Sequence, residues 1–216
     1  MRLLKKLSMR LCKKIFLTAC ILIPSSLLAD YEIKISFESG FEFEAQRELL
    51  PTLQKERSRR GIERVIKEQE WIKDYSLTYI PFEKKIFISI KNRTPFFVLN
   101  KEYFYDKNLN RFKFSTTSKK PIMVNGDIDN LNKIIVLIDL IQSSKLIEFE
   151  VESINYNFVS GWDVTTDKTL IRFGEDISNK KLDTFVDTVN YLYEIRKIPS
   201  IIDMRYKDGV ALNYGK

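Results

Sequence analysis

Histidine is absent from the 216-residue chain, which removes imidazole acid–base chemistry, serine triads and most zinc sites. Cysteine occurs twice, at Cys12 and Cys20, so everything after residue 20 lacks a thiol nucleophile. That part cannot be a disulfide scaffold and must stand on its hydrophobic cores. The seven glycines are scattered, which excludes a phosphate-cradling loop and a dinucleotide-binding fingerprint. Six prolines and so few glycines also exclude long flexible linkers. Paired carboxylates are the remaining route to catalysis. Glu148, Glu150 and Glu152 alternate with Ile147, Phe149 and Val151, the pattern of a solvated strand face. Asp127 and Asp129 precede a helical pattern, where capping is the common role and cation ligation the alternative. The chain is therefore read as non-enzymatic, with no cofactor and no metal.

What is present begins with charge. The formal net charge is +7, but Arg2, Lys5, Lys6, Arg10, Lys13 and Lys14 carry nearly all of it, and the rest of the chain is almost neutral. A nucleic-acid binder needs its positive charge on the folded surface that meets phosphate, so that class is excluded. The basic run leads into Ile15 to Ala29, fifteen uncharged and mostly apolar residues closed by Asp30. A membrane span needs about 20 apolar residues, with roughly 17 at the lower end. Snorkelling Lys13 and Lys14, with aromatic Tyr31, would stretch a short anchor to fit. A retained anchor is expected here, with a cleaved signal peptide as the alternative. Either way the basic end stays in the cytoplasm and the chain from Asp30 is exported across the cytoplasmic (inner) membrane.

Beyond the leader, Tyr31 to Phe37 alternates as a half-buried strand. Phe41, Ala45, Leu49 and Leu53 recur at helical spacing, limited by Pro51. Ile62, Val65 and Ile66 mark a second short helix, and strands follow over Tyr75–Tyr79 and Ile86–Ile90. Short aromatic segments from Phe96 to Phe114 read as a strand meander. A helix through Leu131, Ile134, Ile138 and Ile141 is expected to bury the whole stretch Ile134 to Ile138. The strand from Ile147 slips phase at Ser153, which predicts a β-bulge near Glu152. Leu182, Phe185, Val186, Val189, Leu192 and Tyr193 give a clear amphipathic helix. Ile201–Tyr206 and Val210–Tyr214 then flank Lys207-Asp208-Gly209 as a terminal hairpin.

The expected fold class is α+β: a single N-terminal membrane helix, a small β-α-α-β-β domain, then a larger, mainly antiparallel β-domain carrying two helices. The expected boundaries are a cytoplasmic tail at 1–14, the anchor at 15–29, the small domain at 30–94 and the β-domain at 95–216.

Ile202-Asp203-Met204-Arg205-Tyr206-Lys207-Asp208-Gly209-Val210-Ala211 resembles the terminal hairpin of the bacterial cell-division family FtsQ/DivIB. Trp162-Asp163-Val164 through Asp167 to Phe173-Gly174 resembles an earlier hairpin of that family, and Arg93-Thr94-Pro95 its join between two extracytoplasmic parts. Asn92 stands where the family has Glu, the tryptophan ending is missing after Ala211, and the first strand lacks the family's Val-x-Gly. The resemblance implies a POTRA-like first domain and a non-enzymatic divisome scaffold. Its implied partner is a coiled-coil pair of the FtsB/FtsL (DivIC/FtsL) type, bound by strand addition at the edge of the β-domain. The partner surface it implies is Arg205, Tyr206, Asp208, Gly209, Val210 and Ala211. The alternative is a POTRA-containing envelope-assembly or protein-export component.

Overall fold

A computed structural model describes residues 31–38, 42–113, 120–207 and 209–215. They form two compact units, one of residues 31–38 and 45–91, the other of residues 42–44 and 92–215.

In the first unit the alternating segment forms β1 (Glu32–Phe37), followed by α1 (Gln46–Leu53) and α2 (Arg59–Lys67), then β2 (Ile72–Ile80) and β3 (Lys85–Asn92). The sheet order is β1-β3-β2. β1 and β3 run parallel, with Ile33 opposite Ile86 and Ile35 opposite Ile88, and a parallel pair requires the crossover that the helices supply. Pro51 lies inside α1, where it removes one helical donor, and the helix closes at Leu53 with the Gln54 N–H bonded to Leu50 O. The Ser58 side chain caps α2 by accepting the Gly61 N–H at 3.1 Å. Leu49, Leu53, Ile62, Ile66, Ile86, Ile88 and Ile90 make the core.

The second unit is a nine-stranded sheet in the order β12-β11-β10-β9-β8-β7-β4-β5-β6. Its strands are β4 (Phe97–Leu99), β5 (Tyr103–Tyr105), β6 (Arg111–Lys113), β7 (Ile122–Asn125), β8 (Val151–Asn157), β9 (Gly161–Thr166), β10 (Leu170–Gly174), β11 (Ile201–Asp203) and β12 (Ala211–Asn213). α3 (Asn132–Gln142) links β7 to β8, and α4 (Asn179–Ile195) links β10 to β11. Each helix makes a crossover, so β7/β8 and β10/β11 are parallel; β4/β7 is parallel too. The sheet is thus mixed, with five antiparallel pairings beside these three. Ile134, Ile138, Phe185, Val189 and Leu192 of the helices pack with Val124, Ile154, Trp162, Val164, Ile171 and Ile202 in one core.

The opposite sheet face is covered at the β5–β6 end by Phe43, whose ring meets Phe104 at 6.1 Å and Phe112 at 5.8 Å, edge on. Arg93 and Asp106 pair at 3.2 Å near the start of this unit, and Asp106 also accepts the backbone N–H groups of Asn108 and Asn110. Burial raises the Asp106 pKa, but the bonds from Asn110 and Asn108 and the Arg93 charge outweigh it and leave it lowered.

The expected fold class is corrected by these elements. The described residues form a mixed α+β fold, mostly sheet, with four helices. None of those helices is long and apolar enough to cross a membrane; the longest, α4, has 17 residues and carries Lys180, Lys181, Asp183, Asp187 and Glu194. The expected anchor at 15–29 lies outside the described residues. Two local readings also change. Val136, in the stretch expected to be buried, is 43% exposed, because a helix lying on one sheet face keeps a solvent side. The strand read from Ile147 begins only at Val151, since the Glu150 N–H bonds the Asp167 side chain at 2.8 Å instead of a ladder partner. The register shifts between Val151 and Ser153, where the phase slip predicts a bulge.

Candidate functional site

β12 ends the order of the larger sheet, and no other strand among the described residues pairs with its outer side. Which of its backbone groups face outward follows from the neighbouring ladders. β10 and β11 run parallel with Leu170 opposite Ile201 and Arg172 opposite Asp203. The Leu170 N–H donates to Ser200 O at 3.0 Å, and the Met204 N–H donates to Arg172 O at 2.8 Å. The even-numbered residues 200, 202 and 204 therefore turn their backbone groups toward β10, and alternation turns those of Ile201 and Asp203 toward β12. Their partners there are Asn213 and Ala211. Leu212, between them, directs its N–H and C=O away from the sheet. Its side chain packs against the core opposite Ile202. The edge thus offers one donor and one acceptor in strand geometry, on a residue fixed by its own packing. Ser200 Oγ contacts Asn213 O at 2.9 Å and Gly215 O at 2.8 Å, tying the end of β12 back to β11.

The residues expected at the partner surface are distributed around this edge. Arg205 is committed within the chain: Nε donates to both Asp203 oxygens, at 2.9 and 3.1 Å, and Nη2 donates to Oδ2 at 2.6 Å. These bonds hold the Asp203 carboxyl below its usual range despite burial, and hold the Arg205 guanidinium above its own. Tyr206 is 60% exposed. Val210 is half-buried against the core and Ala211 is exposed. Asp208 lies outside the described residues. Gly209 has nothing within 4 Å of where a Cβ would stand and no left-handed φ, so neither space nor backbone demands glycine there. The hairpin differs from its expected form, because the ladder covers only Ile201–Asp203 and Ala211–Asn213. The connection runs over residues 204–210 and not through a three-residue turn, since Met204 bonds back to β10 and Arg205 folds onto Asp203.

Sequence reasoning missed the row beneath the edge. Asn155, Asp163, Arg172 and Asp203 stand side by side on neighbouring strands, on the face away from the helices. Asp163 Oδ1 and Arg172 Nε are buried, lack hydrogen-bond partners among the described residues and lie 4.0 Å apart, beyond hydrogen-bond range. Burial pushes the Asp163 carboxyl up, with Arg172 and Arg205 pulling against it. The strand pattern marks these residues as a polar face, but only register makes them a row of alternating charge.

Close packing supports the same end of the sheet. Gly161 and Gly174 have φ of +77° and +78°, and a Cβ on Gly161 would stand 1.9 Å from the Gly174 carbonyl carbon. Only glycine fits at 161. Glu148, Glu150 and Glu152 are exposed. Among the described residues no group of three metal-ligating side chains comes together.

Among the described residues β12 is an open strand edge, the form that strand addition uses. No protein-family model matches the chain, and no curated protein matches it.

Proposed function

We propose that this chain is a non-enzymatic scaffold of the FtsQ/DivIB type, working on the extracytoplasmic side of the cytoplasmic membrane. It binds a division-protein pair of the FtsB/FtsL or DivIC/FtsL type by accepting a strand at β12. The observation that carries the reading is the outward N–H and C=O of Leu212, on an edge that no other described strand pairs, with Tyr206 exposed in the connection from β11. Strand addition uses such main-chain groups for affinity and neighbouring side chains for specificity. The ordered resemblance from Arg93 to Ala211 supplies the identity of the partner. Asp203 holds Arg205 in place, so Arg205 shapes the loop that presents Tyr206, and Tyr206 is the anchor of the kind enriched at interface hot spots.

A pull-down from bacterial envelope extract tests this, with the chain and its Tyr206→Ala variant as baits. The reading expects the FtsB/FtsL-type pair with the wild type and its loss with the variant. Recovery of export or envelope-assembly components instead would replace the divisome reading with the POTRA-component alternative.

A further inference from the structure

A pocket of about 350 Å³ opens between the β8–β9 hairpin and the loop that enters α3. Asp127, Asp129, Lys133, Tyr156, Phe158 and Trp162 line it. Its volume lies at the low end of ligand sites, about 300–1,000 Å³, enough for one long side chain.

Helix capping does not account for the two carboxylates. The residue that caps α3 is Leu131, without a side-chain bond, and it is the Asn130 side chain that accepts the Asn132 N–H, at 3.0 Å. Asp127 and Asp129 are both exposed, and neither they nor Lys133 form an ion pair with a described residue. The loop that presents them is held in place. Asn100 accepts the Gly126 N–H at 3.0 Å and donates to its carbonyl at 3.1 Å. Gly126 itself has φ +127° and lies against the Tyr156 backbone, where a Cβ would stand 2.4 Å from Tyr156 O.

A second observation points to a ligand independently of the carboxylates. Trp162 is 2% exposed, and its indole N–H is buried without an acceptor among the described residues. An unmatched buried donor carries a desolvation cost that a carbonyl brought by a ligand would offset. Trp162 packs against Tyr156 with ring centroids 4.8 Å apart, while Phe158 beside it is 84% exposed. Two carboxylates oppose a single ammonium in the lining, which disfavours an anion. A hard metal ion takes six to eight oxygens or near-octahedral coordination, and no third carboxylate lines the pocket among the described residues. Carboxylates beside aromatic rings suit an organic cation.

We infer that this pocket receives a lysine or arginine side chain from an extended segment of a partner protein. The cation sits against Asp127 and Asp129 and the rings of Tyr156 and Phe158, and a carbonyl of the same segment accepts from the Trp162 indole. The pocket opens at β8 and β9, three strands from β12, so it is a contact separate from the edge and does not rest on the strand-addition reading.

The test follows the indole N–H signals of the ¹⁵N-labelled chain while adding N-acetyl-Ala-Lys-Ala-amide or N-acetyl-Ala-Glu-Ala-amide. The Trp162 signal is assigned by its loss in Trp162→Phe. The proposal expects a saturable shift with the lysine peptide and none with the glutamate peptide. Asp127→Asn/Asp129→Asn should weaken binding about tenfold or more. Phe158→Ala, at a side chain with little to lose from the fold, should weaken it as well. A Trp162 signal unmoved by the lysine peptide, equal shifts with both peptides, or undiminished binding by the folded double variant would each overturn the proposal.

Discussion

Leu212→Pro separates the docking edge from the ladder that supports it. The Leu212 N–H points away from β11, so the substitution removes no ladder bond; proline is tolerated at edge positions facing solvent for that reason. Ala211, the residue before it, is already extended, as a residue before proline must be. The fold loses the packing of a partly buried leucine, roughly 1–2 kcal/mol, which Leu212→Ala loses as well. Binding loses more. The incoming strand forfeits one main-chain hydrogen bond, its own carbonyl is left unmatched, and the ring obstructs its approach. Together these come to about 1.5–3 kcal/mol, or roughly ten- to a hundredfold in affinity. Ala211→Pro behaves differently, since its N–H faces Asp203; that substitution breaks the ladder and should melt β12. The assay is titration calorimetry of each variant with the FtsB/FtsL-type pair, beside urea denaturation. The reasoning is refuted if folded Leu212→Pro binds as tightly as Leu212→Ala, or if Ala211→Pro is the better-folded of the two prolines.

The glycines give a contrast that denaturation can read directly. Gly161→Ala should cost several kcal/mol because its Cβ would meet the Gly174 backbone, whereas Gly209→Ala should shift the midpoint little; similar costs at both would contradict the packing described. The carboxylates of the polar row should respond to pH with opposite signs. The lowered pKa of Asp203 stabilises the fold above about pH 4 and is lost as pH falls through its folded value. The raised pKa of Asp163 makes its charge a cost at neutral pH, relieved as pH falls through that raised value. At pH 7, Asp203→Asn should therefore destabilise by roughly 1 kcal/mol, with Arg205 partly exposed, and Asp163→Asn should be neutral or stabilising. Thermal unfolding at pH 7 and pH 3 checks both, and a destabilised Asp163→Asn at pH 7 would contradict the second.

Periodicity carried the sequence reading wherever an element has one wet and one dry side. β1, β3, α2 and α4 stand within a few residues of their expected positions, and the phase slip located the register shift in β8. Long-range pairing left no such mark. Phe43 belongs with Phe104 and Phe112, but the short alternation Phe41-Glu42-Phe43-Glu44 does not say which unit it joins. Parallel pairing of β10 with β11 arises from the α4 crossover, and the composition of neither strand reveals it. The partner-surface residues were legible only through resemblance. Alternation gives the face that a side chain takes, whereas the outward backbone of Leu212 depends on the register two strands away. The truncated ladder was hidden too, because Arg205 leaves the strand to bond Asp203, two residues earlier. The unpartnered indole of Trp162 is likewise a property of its surroundings, invisible in the sequence around it.

The central claim is that β12 is an open edge completed by a partner strand, and amide hydrogen exchange at Leu212 tests it most directly. In the free chain the Leu212 N–H should exchange rapidly, while those of Ala211 and Asn213, facing β11, are protected. Addition of the FtsB/FtsL-type pair should slow Leu212 at least tenfold and change the other two far less. A Leu212 N–H already protected in the free chain, or one still rapid when the pair is bound, would contradict the account.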